Sequence, residues 1–320
     1  MHDRLDISMR ANHVFFIVLM GVGLVCVTLA VAMDILLGFG GLLSLGQALY
    51  FGIGAYVSAL VLREVPSFWL AMGVATAATL VAGIIGGLIA NRVRGVYFAL
   101  ITFGLAQVVA KVVYNTRERG ASDGLIGVPI LDIPLGVVTV SAGDPLDFFL
   151  LTLVVMTLLY AVVAFMFTTP FGRVMIALKA NEKRVPFLGY GTWGPRMVCY
   201  VVAALVAGIS GALYPMLRGF VSPELMFFAS SGNAVIMVVL GGVGTLVGAL
   251  YGAVLLTFLK SVVGSYTEHH LIAIGVVFIC AILFMPKGIV GVAKPWLERR
   301  LIRSEEKADP AGGKTSGASS

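Results

Sequence analysis

The chain has 320 residues, of which 59% are hydrophobic and only 12% charged, with a formal net charge of +6. A soluble domain carries roughly 25% charged residues, and the mean hydropathy here is +1.00. These values exclude an ordinary water-soluble globule and point to an all-α polytopic membrane protein whose interior is a helix bundle packed within lipid.

Residues 1–12 form a short leading segment with Arg4 and Arg10. The first apolar run, about 13–33, is longer than the core of a secretory signal, and no small-residue cleavage site follows it; it reads as a retained span. Further runs lie at roughly 47–62, 68–90, 95–115, 148–168, 196–217, 245–263 and 270–286, giving about eight full transmembrane helices. Two shorter apolar pieces, 34–46 and 231–243, are left over. The first runs into the segment GFGGLLSLGQALYFGIGAY (38–56), which has six glycines in nineteen residues. Each interior glycine weakens a helix by about 1 kcal/mol relative to Ala. A similar texture recurs in VVLGGVGTLVGALYGAV (238–254).

Lys and Arg set the expected orientation. Residues 169–196 carry Arg173, Lys179, Lys183, Arg184 and Arg196 against Glu182 alone, and the tail from 287 and the NRVRG turn (91–95) are also basic. These segments are expected in the cytoplasm. The loop 116–147, with Glu118, Asp123, Asp132, Asp144 and Asp147 against Arg117 and Arg119, is expected outside. With the N-terminus also placed inside, each short piece must carry the chain across. Thirteen helical residues reach only about 20 Å, against a bilayer core of ~30 Å. Both crossings are therefore expected to be broken or re-entrant, in corresponding places of two pseudo-repeated halves. Irregular backbone survives at membrane depth only where protein or a water-filled cavity covers it, so such breaks suit a solute pathway. Small-residue helix packing is the alternative, and Gly248 and Gly252 fit either.

Pathway candidates at the breaks are Asp34, Ser44, Gln47, Asn233 and Thr245, with Gly40, Gly41, Gly46, Gly241, Gly242 and Gly244 as the helix-breaking glycines. Tyr97 and Thr102, with Gln107, lie on the span after Arg94, where helical phase lets only a subset face one path. An acid at membrane depth marks function by default, but Asp34 also suits hydrogen bonding to broken backbone. Cys26, Cys199 and Cys280 are dispersed and read as small apolar residues. EHH (268–270) lacks further ligands at metal spacing. GGKTS (312–316) is no phosphate loop, because position 308 is Ala and no strand or helix pattern surrounds it. No metal, no ATP site and no catalytic constellation are expected in this chain, and no nucleic-acid partner.

Four blocks, GFGGLLSLGQALYFGIGAY, RGVYFALITFGLAQ (94–107), GRVMIALKANEKRVPFLGY (172–190) and MVVLGGVGTLVGALYGAV (237–254), resemble the inner-membrane permease subunits of branched-chain amino-acid ABC importers, in the LivM-like branch of the LivH/LivM family. The resemblance runs from about residue 13 to 290. It implies a permease domain over 13–290, a cytoplasmic N-terminus over 1–12, and a cytoplasmic tail over 291–320, disordered from about 304. It also implies a second, LivH-like permease chain, two cytoplasmic ATPase subunits that hold ATP and Mg, an extracytoplasmic solute-binding protein, and a bacterial inner-membrane location. Within 169–196 the family's ATPase-coupling helix maps to Arg173, Glu182, Leu188 and Gly189, while Arg184 and Val185 replace the small pair the family carries and Pro186 follows. The implied function is alternating-access import of branched-chain or related amino acids. The alternative reading is a self-sufficient secondary transporter or channel, which needs intramembrane titratable groups that the spans, Asp34 apart, scarcely offer.

Overall fold

The structure is a computed structural model that describes residues 2–116, 123–129, 132–134, 139–141 and 144–266, with isolated positions beyond. Nine helices fill the described residues: α1 (His2–Asp34), α2 (Gln47–Glu64), α3 (Phe68–Ala90), α4 (Val96–Asn115), α5 (Pro145–Thr168), α6 (Pro170–Asn181), α7 (Trp193–Arg218), α8 (Phe228–Gly241) and α9 (Leu246–Tyr266). Six segments are long and apolar enough to cross a membrane: Leu19–Phe39, Phe68–Ala90, Val96–Asn115, Pro145–Thr168, Trp193–Arg218 and Leu246–Val263. The expected eight full spans are thus six among the described residues. The 47–62 run is α2, an 18-residue helix that carries Gln47, Arg63 and Glu64 at its ends, and the 270–286 run lies outside the described residues.

The bundle is organised around α7. One face of α7 is a run of small buried residues, Ala203, Ala204, Ala207, Gly208, Ser210, Gly211 and Ala212, which lets neighbouring backbones approach closely, as helix packing in lipid requires. Helix α2 runs parallel to it: the Tyr50 and Tyr200 hydroxyls lie 2.8 Å apart, and Ser58 Oγ donates to the Ala212 carbonyl at 2.9 Å. Helix α3 runs antiparallel, with Gly83 against Ala204 and Gly87 against Met197. A Cβ at Gly211 would fall on the Phe51 carbonyl oxygen, whereas one at Gly73, on the outer face of α3, would meet nothing. Gly211→Ala is expected to force α2 off α7 at about 1–3 kcal/mol, read as loss of monodisperse protein in mild detergent, while Gly73→Ala leaves the yield unchanged.

Helix α1 is antiparallel to α7. Gly21 packs on Leu217, Ser210 Oγ donates to the Val25 carbonyl at 2.9 Å, and Cys199 Sγ donates to the Ile35 carbonyl at 3.4 Å. The Gly21 end of α1 therefore lies at the far end of the bundle from the 169–196 loop. This differs from the expectation that the N-terminal segment and that loop share a side. The charge signal was weak at the start: Arg4 and Arg10 stand beside Asp3 and Asp6. As a consequence the 34–46 piece does not cross. It turns at the loop end of the bundle and re-enters as α2. The 231–243 piece is α8, a regular 14-residue helix, which runs back toward the loop end and forms a hairpin with α9. There Gly241 abuts Gly248 and Gly252 abuts the Met237 carbonyl, so Gly248 and Gly252 serve close helix packing. The two short pieces differ in form: the first is mostly a turn, the second mostly a helix that ends at Gly241.

At the opposite end, β1 (Leu125–Ile126) pairs antiparallel with β4 (Phe220–Val221), just past α7. A second hairpin joins β2 (Asp132–Pro134) to β3 (Thr139–Ser141). The β1–β4 pair and the basic 169–196 loop thus lie at opposite ends of α7.

Candidate functional site

The two glycine-rich breaks meet. Helix α1 widens into a π-turn at Ile35–Phe39, with Gly40 N donating to the Ile35 carbonyl at 3.1 Å and Leu42 N to the Leu36 carbonyl at 2.8 Å. Gly41 follows with φ 64°. The second break, 242–245, has Gly242 at φ 121° and Gly244 at φ 83°; Thr245 Oγ1 closes it by donating to the Gly242 carbonyl at 2.7 Å. Side chains other than glycine rarely adopt these angles. Asp34, fully buried, accepts at Oδ1 from Gly244 N at 2.8 Å. A Cβ at Gly38 would collide with both groups, so only glycine lets the breaks touch. From the other side Lys179 Nζ, on α6, donates to the Gly38 carbonyl. The Asp34 carboxylate therefore links the two breaks, the Lys179 ammonium ties α6 to the first of them, and Asp34 Oδ2 makes no hydrogen bond.

Deeper in the bundle, the start of α2 has its backbone satisfied by side chains. Leu45 N donates to Thr102 Oγ1 at 3.2 Å, Gly46 N to Ser44 Oγ at 3.4 Å, and Ala48 N to Ser231 Oγ at 3.1 Å. A helix start leaves free N–H groups that lipid cannot satisfy, and these three hydroxyls supply acceptors. Gln47 is fully buried beside them, and neither its Oε1 nor its Nε2 is hydrogen-bonded. A buried primary amide without partners is costly.

The loop end is built from α6, a 3-10 turn at Val185–Leu188, and Gly189 in the left-handed conformation at φ 82°. Glu182 accepts from Arg196 Nη1 at 2.8 Å and lies 3.4 Å from Arg94 Nε. These groups rim a groove of about 430 Å³ that also reaches Gly40, Gly41 and Lys179. Phe187 and Leu188 stand 89% and 69% exposed on the outer side of the turn.

Residues 15–284 match the family model described as branched-chain amino acid transport system / permease component. The chain belongs to this family. It is 27% identical over 296 residues to the high-affinity branched-chain amino acid transport system permease protein LivM of Salmonella typhimurium, covering 86% of this chain and 70% of that protein. LivM of Escherichia coli is 26% identical with the same coverage. LivH of Salmonella typhimurium is 24% identical over 297 residues, 85% of this chain and 92% of that protein. No solved structure matches.

Of the candidate residues read from the sequence, the permease brings Asp34, Gly40, Gly41, Gly242, Gly244 and Thr245 to one junction, and Ser44, Gly46, Gln47 and Thr102 to the start of α2. Gly241 packs on α9. Asn233 faces a separate chamber at the other end of the bundle. Tyr97 is 71% exposed on the outer surface of α4, away from the junction. Arg173 and Leu188 are exposed on the loop, and Glu182 is engaged inside the chain. Sequence reasoning missed Lys179, Ser231 and the two arginines that hold Glu182, Arg94 and Arg196, as site residues. Lys179 was hidden among loop cations, and Ser231 sits in the polar run SSGN (230–233) that marked its neighbourhood.

Proposed function

We propose that this chain is the transmembrane permease subunit of an ATP-binding-cassette importer that moves branched-chain or related amino acids inward by alternating access. The observation that carries the reading is the junction of the two breaks, because Lys179 belongs to α6 and grips the first break directly. Movement of α6 would pull on the Gly38 carbonyl and loosen the contact between breaks. Continuing from α6, the 3-10 turn presents Phe187 and Leu188 to solvent. Exposed apolar side chains on a basic loop outside the spans are suited to insertion in a partner's groove, here a cytoplasmic ATPase. ATP and Mg reside on two such ATPase subunits. A second, LivH-like permease chain completes the pathway, and an extracytoplasmic binding protein delivers the solute. The basic 169–196 loop and the basic tail face the cytoplasm of a bacterial cell, and the domain spans 13–290. Relatives named as permease proteins of branched-chain amino acid transport systems support this assignment.

Purification of the tagged chain from native membranes tests it. ATPase subunits are expected in stoichiometric amount, and a Phe187→Asp, Leu188→Asp double variant is expected to lose them at unchanged permease yield. A chain that purifies alone and transports without ATP overturns the reading.

A further inference from the structure

A chamber of about 440 Å³ lies at the end of the bundle opposite the 169–196 loop, between α1, α2, α7, α8 and α9. Its walls are mostly apolar, with Phe51 and Met237 among them, while Arg218, Lys260, Asn233 and Thr257 supply the polar atoms. Among the described residues no carboxylate lines it, and neither Arg218 nor Lys260 forms an ion pair. Arg218 is exposed and Lys260 is partly buried. Snorkelling to an interface would aim each cation away from the bundle; here the last turn of α7 and the facing turn of α9 contribute both cations to one cavity wall. Two cations at one apolar wall, with no carboxylate in the described lining, favour an anionic guest, the more so at the partly buried Lys260, because a desolvated cation without a counter-charge is costly. A small-molecule site has this composition: mainly apolar lining with a few convergent polar groups.

We propose that this chamber is a solute-entry site, taking the carboxylate of an aliphatic amino acid between Arg218 and Lys260. The side chain of the solute lies on Phe51 and Met237, and the amide oxygen of Asn233 accepts from its ammonium group. The inference rests on the importer reading for its solute class. It adds a place in this chain where that solute is held before the bundle turns over.

Ser261 lines the same chamber, and Ser261→Cys supplies a reporter. The assembled complex is placed in phosphatidylcholine vesicles, and alkylation at position 261 is followed by peptide mass with leucine, valine or isoamylamine present. The amine shares leucine's aliphatic chain but lacks the carboxylate. Leucine or valine is expected to slow labelling roughly tenfold at about ten times its Kd, and isoamylamine is expected to have no effect. Arg218→Gln with Lys260→Gln is expected to abolish protection while ATPase subunits still co-purify. Equal protection by isoamylamine, no protection by either amino acid, protection retained in the double variant, or protection only on adding phosphatidylglycerol overturns the site. Should the double variant fail to assemble, the comparison of leucine with isoamylamine on the parent chain still decides. Absence of co-purifying ATPases, by contrast, sinks the importer reading and leaves the protection result standing on its own.

Discussion

Arg196→Met is expected to leave the ATPase subunits bound but to cut uptake by about tenfold or more, and to lower the melting temperature of the solubilised complex. Arg196 is 5% exposed and lies in the first turn of α7. Its Nη1 donates to Glu182 at 2.8 Å, where α6 ends, and its Nη2 donates to the Val93 carbonyl at 3.4 Å, in the turn between α3 and α4. One guanidinium therefore ties the loop that is proposed to meet the ATPase to two separate parts of the bundle. Met preserves much of the apolar stem but leaves Glu182 with only the exposed Arg94 beside it. Breaking a fully buried pair costs about 3–5 kcal/mol; since Glu182 remains 25% exposed, roughly 2–3 kcal/mol is expected here. Arg196→Lys is expected to recover only part of the loss, because a point charge cannot serve both acceptors in the fork geometry. Combining Arg196→Met with Glu182→Gln is expected to cost less than the sum of the single changes, since both act on one contact. Unchanged uptake and melting temperature in Arg196→Met would sink the tether.

Much of the fold was legible because lipid enforces simple rules. The run read as 68–90 is helix α3, Phe68–Ala90, bounded by Pro66–Ser67 on one side and by Asn91–Arg92 on the other. Charge asymmetry likewise put the 116–147 and 169–196 loops at opposite ends. The count of crossings failed at its first step, because two arginines balanced by two aspartates carry little orientation signal. An error there turns a re-entrant break into a crossing and leaves every later helix in place. What the sequence could not supply was distance across the chain. Asp34 meets Gly244 across 210 positions and Lys179 meets Gly38 across 141, and no local pattern encodes either pairing. Helical phase did separate Thr102 from Tyr97, one buried and the other facing outward. The family resemblance marks Glu182 as a contact for a partner. In the fold the acid turns inward to two arginines, and the apolar residues after it take the outward position.

Asp34→Ala is expected to abolish uptake, whereas Asp34→Asn is expected to keep it within about threefold of the parent. The contrast separates two roles for a buried acid. As a structural acceptor, Asp34 Oδ1 takes the Gly244 N–H at 2.8 Å, and the amide oxygen of Asn does the same. Ala leaves that N–H buried and unpaired, at about 1–3 kcal/mol, and leaves a void where the Gly38 and Gly244 backbones now converge. With 1.4 kcal/mol equal to a tenfold change in an equilibrium constant, a penalty near 2 kcal/mol shifts the balance of closed and open junctions about thirtyfold. An importer that must close this end before reopening it is then stalled with the junction apart. As a proton carrier, by contrast, Asp34 would be disabled equally by Asn and by Ala, and uptake would follow a proton gradient in place of ATP. Uptake into proteoliposomes, driven first by ATP inside with the pH gradient collapsed and then by a pH gradient without ATP, reads both variants. Retained activity in Asn supports the hydrogen bond between breaks as the working element. Equal loss in both variants, with uptake in the parent surviving removal of ATP, moves the chain to the class of ion-coupled transporters.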